Sequence, residues 1–472
     1  MKNNKVYRLF LLKGTRKNPA DAEQLYVKRM AADRPKGSWT DFHLPEPHAY
    51  LWLPERGADE TATDYLLRIR SWGRRWADKA RAIAGSRWVL TDLEWRDAEA
   101  VRALAESFLL NLYVFDTYKA ERKAAPELTA VEADGVTAAD LTALRERAAE
   151  VNWVKSLVEQ PVSVLNAAAF AREMASHLKP LGVTAKLWTR KDMEKAGMGG
   201  LLGVNRGSVD EPAFAEFVYK PDNARNAKPV VLVGKGVVFD AGGMNIKTGN
   251  YMDDMKTDMA GGAMAAGILA MAAKQALPLY IVALVPATDN RLNGNALVPG
   301  DIIRIGGETS VEIVNTDAEG RLLLADATAY AHKHYAPAAI ISMATLTGAA
   351  SRAIGTKGIV AMRERWPEDL ARCLDRASED VQERYCLFPM WPEYDKELES
   401  DVAELKNCGS GTAGMITAAK FVGHFAGKTP FLHLDVAGVA YYDKDESAWR
   451  KGATGMGVRW IGRFLQLWGD IQ

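Results

Sequence analysis

Apolar residues recur at spacings of three and four in several segments of the first 160 residues, a pattern that predicts amphipathic helices. The segments with this spacing are residues 61–84 and 97–115, and residues 138–158 are predicted to form a long charged helix. Thr137 or Asp140 is suited to cap the last of them. Residues 124–136 show no such period and are predicted to form a loop. We therefore predict two domains, residues 1–155 and 156–472, with a linker helix at about 138–158.

Beyond residue 160, short runs of apolar and β-branched residues alternate with helical segments rich in small residues. The predicted strands are residues 229–239, 278–286, 311–316, 338–345 and 431–436. The predicted helices are residues 259–275, 322–334 and 415–426. Strands separated by helices indicate an α/β domain with a mostly parallel central sheet flanked by helices. Functional residues in such sheets gather at the carboxyl ends of the strands.

The length and composition agree with two globular domains. Of the 472 residues, 48% are apolar and 25% are charged, which argues against disordered, collagen-like and membrane classes. The 60 basic and 60 acidic residues give no net charge, so the cationic excess typical of proteins that bind nucleic acid or anionic membranes is missing. Three scattered cysteines, with no signal-peptide or membrane-spanning pattern, predict a soluble cytoplasmic protein.

The first 150 residues contain six of the 13 tryptophans. Clustered aromatic side chains can form a surface for base stacking, but at helical spacing they more often belong to a core or an interface. We predict core or interface packing for this set: Trp39, Trp52, Trp72, Trp76, Trp88 and Trp95.

Acidic and lysine residues stand where the predicted strands of the second half end. The segment VVLVGKGVVFDAGG contains Lys235 and Asp240, Lys247 follows, and MDDMKTDMAGG places Asp258 before a predicted helix. At the end of the strand 311–316 the sequence reads NTDAEGR. In an extended segment, side chains two positions apart share a face. This spacing would place four side chains of the motif together: Asn315, Asp317, Glu319 and Arg321.

Such a group of charges requires compensation. Unpaired buried charges cost several kcal/mol each, and four negative charges match two divalent cations. Two metal ions roughly 3.5–4 Å apart can share a bridging water and lower its pKa. Oxygen-rich sites suit Mn²⁺ or Mg²⁺, and Zn²⁺ also accepts carboxylates. The carboxylates that we assign to this site are Asp240, Asp258, Asp317 and Glu319.

Each of these residues taken alone has a simpler structural explanation. Asp317 and Glu319 would fit a solvated turn, Asp258 a helix N-cap, and Lys235 an ordinary lysine at a strand end. Four acids and two lysines at successive strand ends in one domain are harder to explain in that way. We therefore favour a functional site.

Other motifs are less informative. The segment GSGTAG at residues 409–414 fits a glycine-rich nucleotide-binding pattern, but the preceding segment does not predict a buried parallel strand. The sequence contains no Walker A, HExxH or GxSxG motif, which disfavours P-loop, zincin and serine-hydrolase functions. We interpret His433 as a structural histidine rather than a ligand.

At these residues the sequence resembles the leucyl aminopeptidase family of metallopeptidases. The family signature NTDAEGRL is present without change at residues 315–322. Further similar blocks are VGKGVVFDAGGMNIK, MDDMKTDMAGGA, MATLTGA, HLDVAG and KGATG, which occur in this order over about two-thirds of the chain. The resemblance also implies a small macro-like α/β fold for the N-terminal domain.

The resemblance implies a set of metal ligands and catalytic residues. One tightly bound metal ion would be held by Lys235, Asp240, Asp258 and Glu319. A more exchangeable ion would be held by Asp240, Asp317 and Glu319, so that Asp240 and Glu319 bridge the two. Lys235 would bind as a neutral amine, because nearby cations lower its pKa.

The remaining implied roles concern the substrate. Lys247 would polarise the scissile carbonyl, and Arg321 would hold a bicarbonate ion that acts as general base. Free N-terminal amines of peptides would bind a metal ion and Asp258, which would explain exopeptidase action. Apolar first residues such as leucine are expected to be favoured. The residues implied to contact the substrate are Met255, Asn315, Thr345, Leu346 and Gly348.

The resemblance further implies a homohexamer, and two departures from the family pattern are visible. Ala241 replaces the usual serine and Asp289 the usual glutamate.

Two alternative functions use the same residues or the same fold. One is a two-metal phosphoesterase, which usually requires histidines or a phosphate-binding loop. The other is a DNA-binding scaffold, for which the balanced charge offers no electrostatic support. We expect the metallo-aminopeptidase function.

Overall fold

A computed structural model describes residues 6–13, 48–53 and 55–471 of the chain. The described chain divides into two compact units. Unit 1 contains the described parts of residues 1–152 together with residues 444–450, and unit 2 contains residues 153–443 and 451–471. The division falls within the long helix α3 (Ala138–Val158).

Unit 1 has a four-stranded parallel sheet with the order β2-β1-β3-β4. Its strands are β1 (Val6–Lys13), β2 (His48–Leu53), β3 (Arg87–Asp92) and β4 (Glu127–Glu132). Its helices before α3 are α1 (Ala62–Arg81) and α2 (Ala98–Asn111). This arrangement confirms the expected α/β class of the N-terminal part.

The core of unit 1 confirms the structural interpretation of most of its tryptophans. Trp76, Trp88 and Trp95 are buried, and Trp76 stacks on Phe108 with ring centroids 3.7 Å apart. Trp72 packs against this core while partly exposed. Trp39 and the side chain of Trp52 lie outside the described residues.

Unit 2 is built on a nine-stranded mixed sheet with the order β14-β13-β16-β12-β7-β9-β6-β5, and β8 pairs with β9 beside β7. The strands β16, β12, β7 and β9 are mutually parallel, whereas β13, β6 and β5 add antiparallel pairings. The bounds are β5 (Thr184–Trp188), β6 (Ala213–Tyr219), β7 (Val230–Gly234), β8 (Gly236–Asp240), β9 (Ile281–Asn290), β12 (Ala339–Ala344), β13 (Ile359–Glu364), β14 (Tyr385–Phe388) and β16 (Phe431–Asp435).

Two small sheets complete the strands of unit 2. One contains β10 (Ile302–Ile305), β11 (Thr309–Glu312) and β15 (Leu405–Lys406), and the other contains β17 (Tyr441–Tyr442) and β18 (Gly452–Ala453). The helices are α4 (Ala167–Leu178), α5 (Arg190–Lys195), α6 (Gly199–Asn205), α7 (Ala260–Lys274), α8 (Gly320–Tyr335), α9 (Gly348–Ile354), α10 (Glu368–Val381), α11 (Gly414–His424) and α12 (Val458–Ile471). Short 3₁₀ helices lie at Lys179–Leu181, Met255–Thr257 and Pro392–Leu398.

The core of unit 2 explains why its strands read as continuous apolar runs. Every residue of β7 and β12 is buried, because parallel strands covered by helices on both faces have no solvent-facing side. Leu322, Leu323 and Leu324 of α8 pack into this core. In the described part of the chain, no helix is both long and apolar enough to cross a membrane.

Most predicted elements are confirmed, but three expectations are wrong. The predicted loop at 124–136 contains β4, a short strand whose partly buried pattern has no clear period. The predicted strand 229–239 is divided at Lys235 into β7 and β8. The predicted strand 311–316 is the shorter β11, which belongs to a small sheet with β10 and β15 rather than to the central sheet.

Candidate active site

The carboxyl ends of four parallel strands lie at one edge of the central sheet. Lys235 follows β7, Asp240 ends β8, Thr345 follows β12 and Asp435 ends β16. The backbone N–H of Lys235 donates to the carbonyl of Met343, 3.0 Å away. Because parallel strands end at the same edge, the sheet places these polar side chains close together.

Lys235 is the buried cation of this edge. Its Nζ lies 2.6 Å from Asp258 Oδ2 and 2.8 Å from Glu319 Oε1, and it donates to the carbonyl of Thr345 at 3.2 Å. Burial lowers its pKa, but the charges of the surrounding carboxylates outweigh burial and raise the pKa above its usual value. The protein's own charges therefore make Lys235 an ammonium group paired with two acids.

Lys247 is the second cation. Its Nζ lies 2.8 Å from Asp240 Oδ2 and 2.6 Å from Asp317 Oδ1. Burial lowers its pKa, and the nearby acids, Asp240 first, raise it by more. Lys235 and Lys247 thus face different pairs of carboxylates within one site.

Three of the acids form a cluster that fits a metal ion. Asp240, Asp317 and Glu319 each offer a carboxylate oxygen, and these atoms lie within 4.8 Å of one another. Glu319 is buried, and its Oε2 has no hydrogen-bond partner. An orphaned carboxylate oxygen beside two further acids is the donor chemistry of a divalent cation, so these residues fit the predicted metal.

Burial and mutual repulsion raise the pKa values of three of the acids. Burial, followed by the charge of Asp240, raises the pKa of Asp317 and of Glu319. Burial also raises the pKa of Asp258, against the opposing charge of Lys235. The two lysines do not fully compensate the four acids, which leaves a negative charge that a divalent cation would neutralise.

The signature segment reaches this cluster through a turn, and the expectation of an extended segment is wrong. Residues 316 and 317 form a turn, and Glu319 already has helical backbone angles at the start of α8. The Oδ1 of Asn315 accepts from the backbone N–H of Asp317 at 2.8 Å. Asp317 and Glu319 still meet Asp240, but a turn followed by a helix brings them there.

Arg321 has its described hydrogen bond outside this cluster of acids. Its guanidinium donates to the carbonyl of Asn407 at 2.9 Å, and its buried Nε has no hydrogen-bond partner. Burial lowers its pKa, opposed by Cys408, Glu319 and Asp435, which raise it. A buried donor without an acceptor is a suitable position for a small anion.

Asp258 is not the N-cap of α7. The N-cap of α7 is Met259, without a side-chain cap, and Asp258 Oδ1 instead accepts from Thr345 Oγ1 at 2.8 Å. The N-cap explanation of Asp258 is therefore wrong, and this acid instead pairs with Lys235 at the sheet edge.

The predicted substrate-contacting residues lie around the same edge. Met255 is half-buried in the 3₁₀ helix before Asp258, Thr345 and Leu346 are half-buried after β12, and Gly348 is exposed at the start of α9. The N–H of Leu346 donates to Asp435 Oδ1 at 3.2 Å.

Several residues that hold the acids in place were not predicted. Asn290, at the end of β9, donates to Asp240 Oδ1 at 2.8 Å and to the carbonyl of Thr316 at 3.1 Å. Thr316 Oγ1 donates to the carbonyl of Gly242 at 2.7 Å and accepts from the N–H of Asn245 at 2.8 Å. Thr316 lies in the signature NTDAEGRL, and Asn290 directly follows Asp289, a position at which the sequence departs from the family pattern.

The two residual motifs have structural explanations. The segment at 409–414 follows the two-residue, half-buried strand β15, so it lacks the strand of a nucleotide-binding unit. His433 is fully buried, with Nδ1 3.1 Å from Ser342 Oγ. Burial, aided by Arg321, lowers its pKa to about 3, which keeps the ring neutral.

Asp289 stands where the family pattern usually has a glutamate. Its Oδ2 lies 2.5 Å from Arg291 Nε.

Comparisons with known proteins agree with this geometry. Residues 152–462 match the family described as cytosol aminopeptidase family, catalytic domain. The probable cytosol aminopeptidase of Syntrophotalea carbinolica is 39% identical over 370 residues, which cover 76% of this chain and 74% of that protein. The probable cytosol aminopeptidase of Chlorobium luteolum is 43% identical over 315 residues, 66% of this chain and 61% of that protein.

A solved structure resembles nearly the whole chain. It is described as the bottromycin maturation enzyme BotP in complex with Mn, and it matches with a TM-score of 0.82 at 28% identity over 98% of this chain and 99% of that one. Because the family match covers most of unit 2 and the relatives exceed a third in identity, the chain belongs to the cytosol aminopeptidase family and is a metallo-aminopeptidase.

Proposed function

We propose that this enzyme removes the N-terminal residue of peptides with a preference for apolar first residues such as leucine, using two divalent metal ions. The observation that carries the proposal is the meeting of Asp240, Asp317 and Glu319, whose ligand atoms lie within 4.8 Å of one another. The orphaned Oε2 of Glu319 supports a cation at this point.

The acids and Lys235 are proposed as the metal ligands. Lys235, Asp240, Asp258 and Glu319 would hold one ion, and Asp240, Asp317 and Glu319 the other. Lys235 would bind as a neutral amine, since two cations beside it would lower its pKa. When bound, the two ions polarise the scissile carbonyl and activate water. Carboxylate-rich ligands favour Mn²⁺ and accept Zn²⁺, and the solved complex of the similar enzyme contains Mn.

Lys247 is proposed to stabilise the negative charge that develops on the substrate. Its ammonium group is held by Asp240 and Asp317 at 2.8 and 2.6 Å, so it is positioned before substrate arrives. A preorganised cation in a water-poor site contributes more to the transition state than the same cation in water.

Arg321 is proposed to bind a bicarbonate ion that supplies the general base. The buried Nε without an acceptor supports an anion at this position. Asp258, fixed by Thr345 Oγ1 at 2.8 Å, is proposed to accept a hydrogen bond from the free α-amine of the substrate, which explains why only the first residue is removed.

The pocket for the first side chain is proposed to lie between Met255, Thr345 and Gly348. Met255 supplies an adaptable apolar wall, and Gly348 leaves room beside it. Because the N–H of Leu346 is engaged with Asp435, the carbonyl of Leu346 is the backbone group left for the substrate. Asn315 is proposed to orient the peptide by positioning Asp317, to whose N–H it is bonded.

The larger organisation is also proposed. Residues 156–472 would form the catalytic domain, and the family resemblance supports a cytoplasmic homohexamer. Light scattering after size exclusion tests the hexamer, because a monomeric mass at micromolar concentration contradicts it.

The deciding experiment is hydrolysis of leucine p-nitroanilide and of dipeptides after removal of metals and addition of Mn²⁺ or Zn²⁺. We expect activity to disappear with chelator, to return with metal, and to require a free α-amine. Activity that survives the removal of both metals contradicts the mechanism. Comparison of leucine, glutamate and lysine p-nitroanilides tests the preference, and equal kcat/KM values for the three contradict an apolar pocket.

A further inference from the structure

The loop between β12 and α9 is bound at both ends to buried polar groups. Thr345 is held from one side, because its carbonyl accepts from Lys235 at 3.2 Å and its hydroxyl donates to Asp258 at 2.8 Å. Leu346 and Thr347 are held from the other side by Asp435. The carbonyl of Leu346 lies between these two anchors.

Asp435 accepts hydrogen bonds from two residues of this loop and from one residue of its own segment. Its Oδ1 accepts from the N–H groups of Leu346 at 3.2 Å and Ala437 at 3.1 Å. Its Oδ2 accepts from Thr347 Oγ1 at 2.7 Å. Asp435 is only 1% exposed, and among the described residues no lysine or arginine forms an ion pair with it. A buried carboxylate is costly unless hydrogen bonds compensate it, and the bonds from Leu346, Thr347 and Ala437 supply that compensation.

Thr347 extends the effect of Asp435 into α9. Its hydroxyl donates to Asp435 and accepts from the N–H of Ala350 at 3.1 Å as the N-cap of the helix. Since the single hydroxyl proton is directed at Asp435, a lone pair of the same oxygen is directed at Ala350. Asp435 therefore fixes the side-chain rotamer of Thr347, the N-cap of α9, and Gly348 is the first residue of that helix.

We infer that Asp435 is a positioning residue for the substrate, which fixes the carbonyl of Leu346 and the start of α9 in the geometry that binds the N-terminal residue. This inference rests on the proposed function, in which Leu346 and Gly348 contact the substrate. Asp435 acts through the loop and does not touch the reacting atoms.

Two substitutions of Asp435 separate geometry from charge. Asp435→Asn keeps an acceptor at Oδ1 for Leu346 and Ala437, and its amide can donate to Thr347. Asp435→Ala removes every contact. We expect Asp435→Ala to raise KM for leucine p-nitroanilide about 3- to 10-fold, the loss of roughly one hydrogen bond, with two metal ions retained per chain, and Asp435→Asn to stay within about twofold of wild type. An unchanged KM in Asp435→Ala, or an equal rise in both variants, overturns the inference.

Thr347 provides an independent pair of variants if Asp435→Ala fails to fold. Thr347→Val keeps the shape of the side chain and loses the hydroxyl, whereas Thr347→Ser keeps the hydroxyl. We expect Thr347→Val to raise KM in the same range and Thr347→Ser to restore it. If serine does not rescue the valine defect, the hydroxyl bridge is not the cause and the inference is wrong.

Asp326→Asn is the matched control. Asp326 is equally buried and also accepts backbone N–H bonds, from Leu201 at 2.8 Å and Gly306 at 3.3 Å, but it does not bind the loop. Its variant should change stability and leave KM within about twofold. A KM rise like that of Asp435→Ala indicates a general effect of removing a buried acid and contradicts positioning.

Hydrogen exchange distinguishes failure of the inference from failure of the proposed function. Exchange at the amides of residues 346–350 should be faster in Asp435→Ala than in wild type and unchanged in Asp326→Asn. If wild type lacks leucine aminopeptidase activity while exchange is still faster in Asp435→Ala than in wild type, the proposed preference is disproved and the anchoring of the loop is supported. Unchanged exchange in Asp435→Ala disproves the anchoring directly.

Discussion

Substitution of Glu319 by glutamine should stabilise the protein without metal and abolish its response to metal. Glu319 is 1% exposed and its Oε2 has no hydrogen-bond partner. Burial and the charge of Asp240 raise its pKa by more than Lys235 and Lys247 lower it. An acid whose folded pKa is raised opposes folding at every pH above its unfolded pKa. At neutral pH and without cations, the charge of Glu319 therefore destabilises unit 2.

The size of the effect follows from burial of an unsatisfied polar group, which costs about 1–3 kcal/mol. A domain of 150–250 residues shifts its melting temperature by roughly 2–4 °C per kcal/mol, and a larger one such as unit 2 shifts by about 1.5 °C per kcal/mol. In chelator, we expect Glu319→Gln to melt roughly 1.5–5 °C above wild type. With metal at about 100 times its Kd, wild type should gain about 2.7 kcal/mol, whereas the variant should gain little and lack aminopeptidase activity.

Scanning calorimetry in chelator and in Mn²⁺ measures both effects. Asp326→Asn serves as the control, because its shift in melting temperature, whatever the sign, should be the same in both buffers. The reasoning is refuted if Glu319→Gln is less stable than wild type in chelator, or if the variant gains as much stability from Mn²⁺ as wild type does.

Three further predictions concern other residues of the site. Arg321→Ala should reduce kcat while leaving about two metal ions per chain by elemental analysis; loss of metal would show that Arg321 supports the ligands rather than an anion. Asn290→Leu removes the donor at 2.8 Å from Asp240 and should weaken metal binding roughly 10- to 100-fold in a metal titration, whereas unchanged affinity would show that Asp240 needs no such support. Because the pKa of His433 falls to about 3, the unfolded state binds a proton that the folded state does not between about pH 6.5 and 3. His433 should therefore lower the free energy of unfolding by about 1.4 kcal/mol for each pH unit of acidification in this range. Urea titrations at several pH values should show a weaker dependence of this free energy on pH in His433→Gln than in wild type.

The meeting of these acids and lysines could be predicted because the charged residues are concentrated in short blocks. The acids of NTDAEGR and the lysine of GKG stand beside glycines and strand ends, and charge counting links them to metal ions. The α/β class also followed from apolar runs that alternate with helical segments. The supporting residues Asn290 and Asp435 escaped prediction because a single buried amide or acid has no periodic signal.

The sequence by itself determined which charged residues are candidates for the site and the order of most helices and strands, since local periodicity and motif chemistry act over a few residues. The tertiary structure decided how these residues are brought together. It placed β11 outside the central sheet and brought Asp317 and Glu319 to Asp240 by a turn and a helix. It also connected Asp435 to the loop at Leu346 across 89 positions of sequence. Such pairings depend on which strands lie side by side, and strand order is set by packing of the whole sheet rather than by any local pattern.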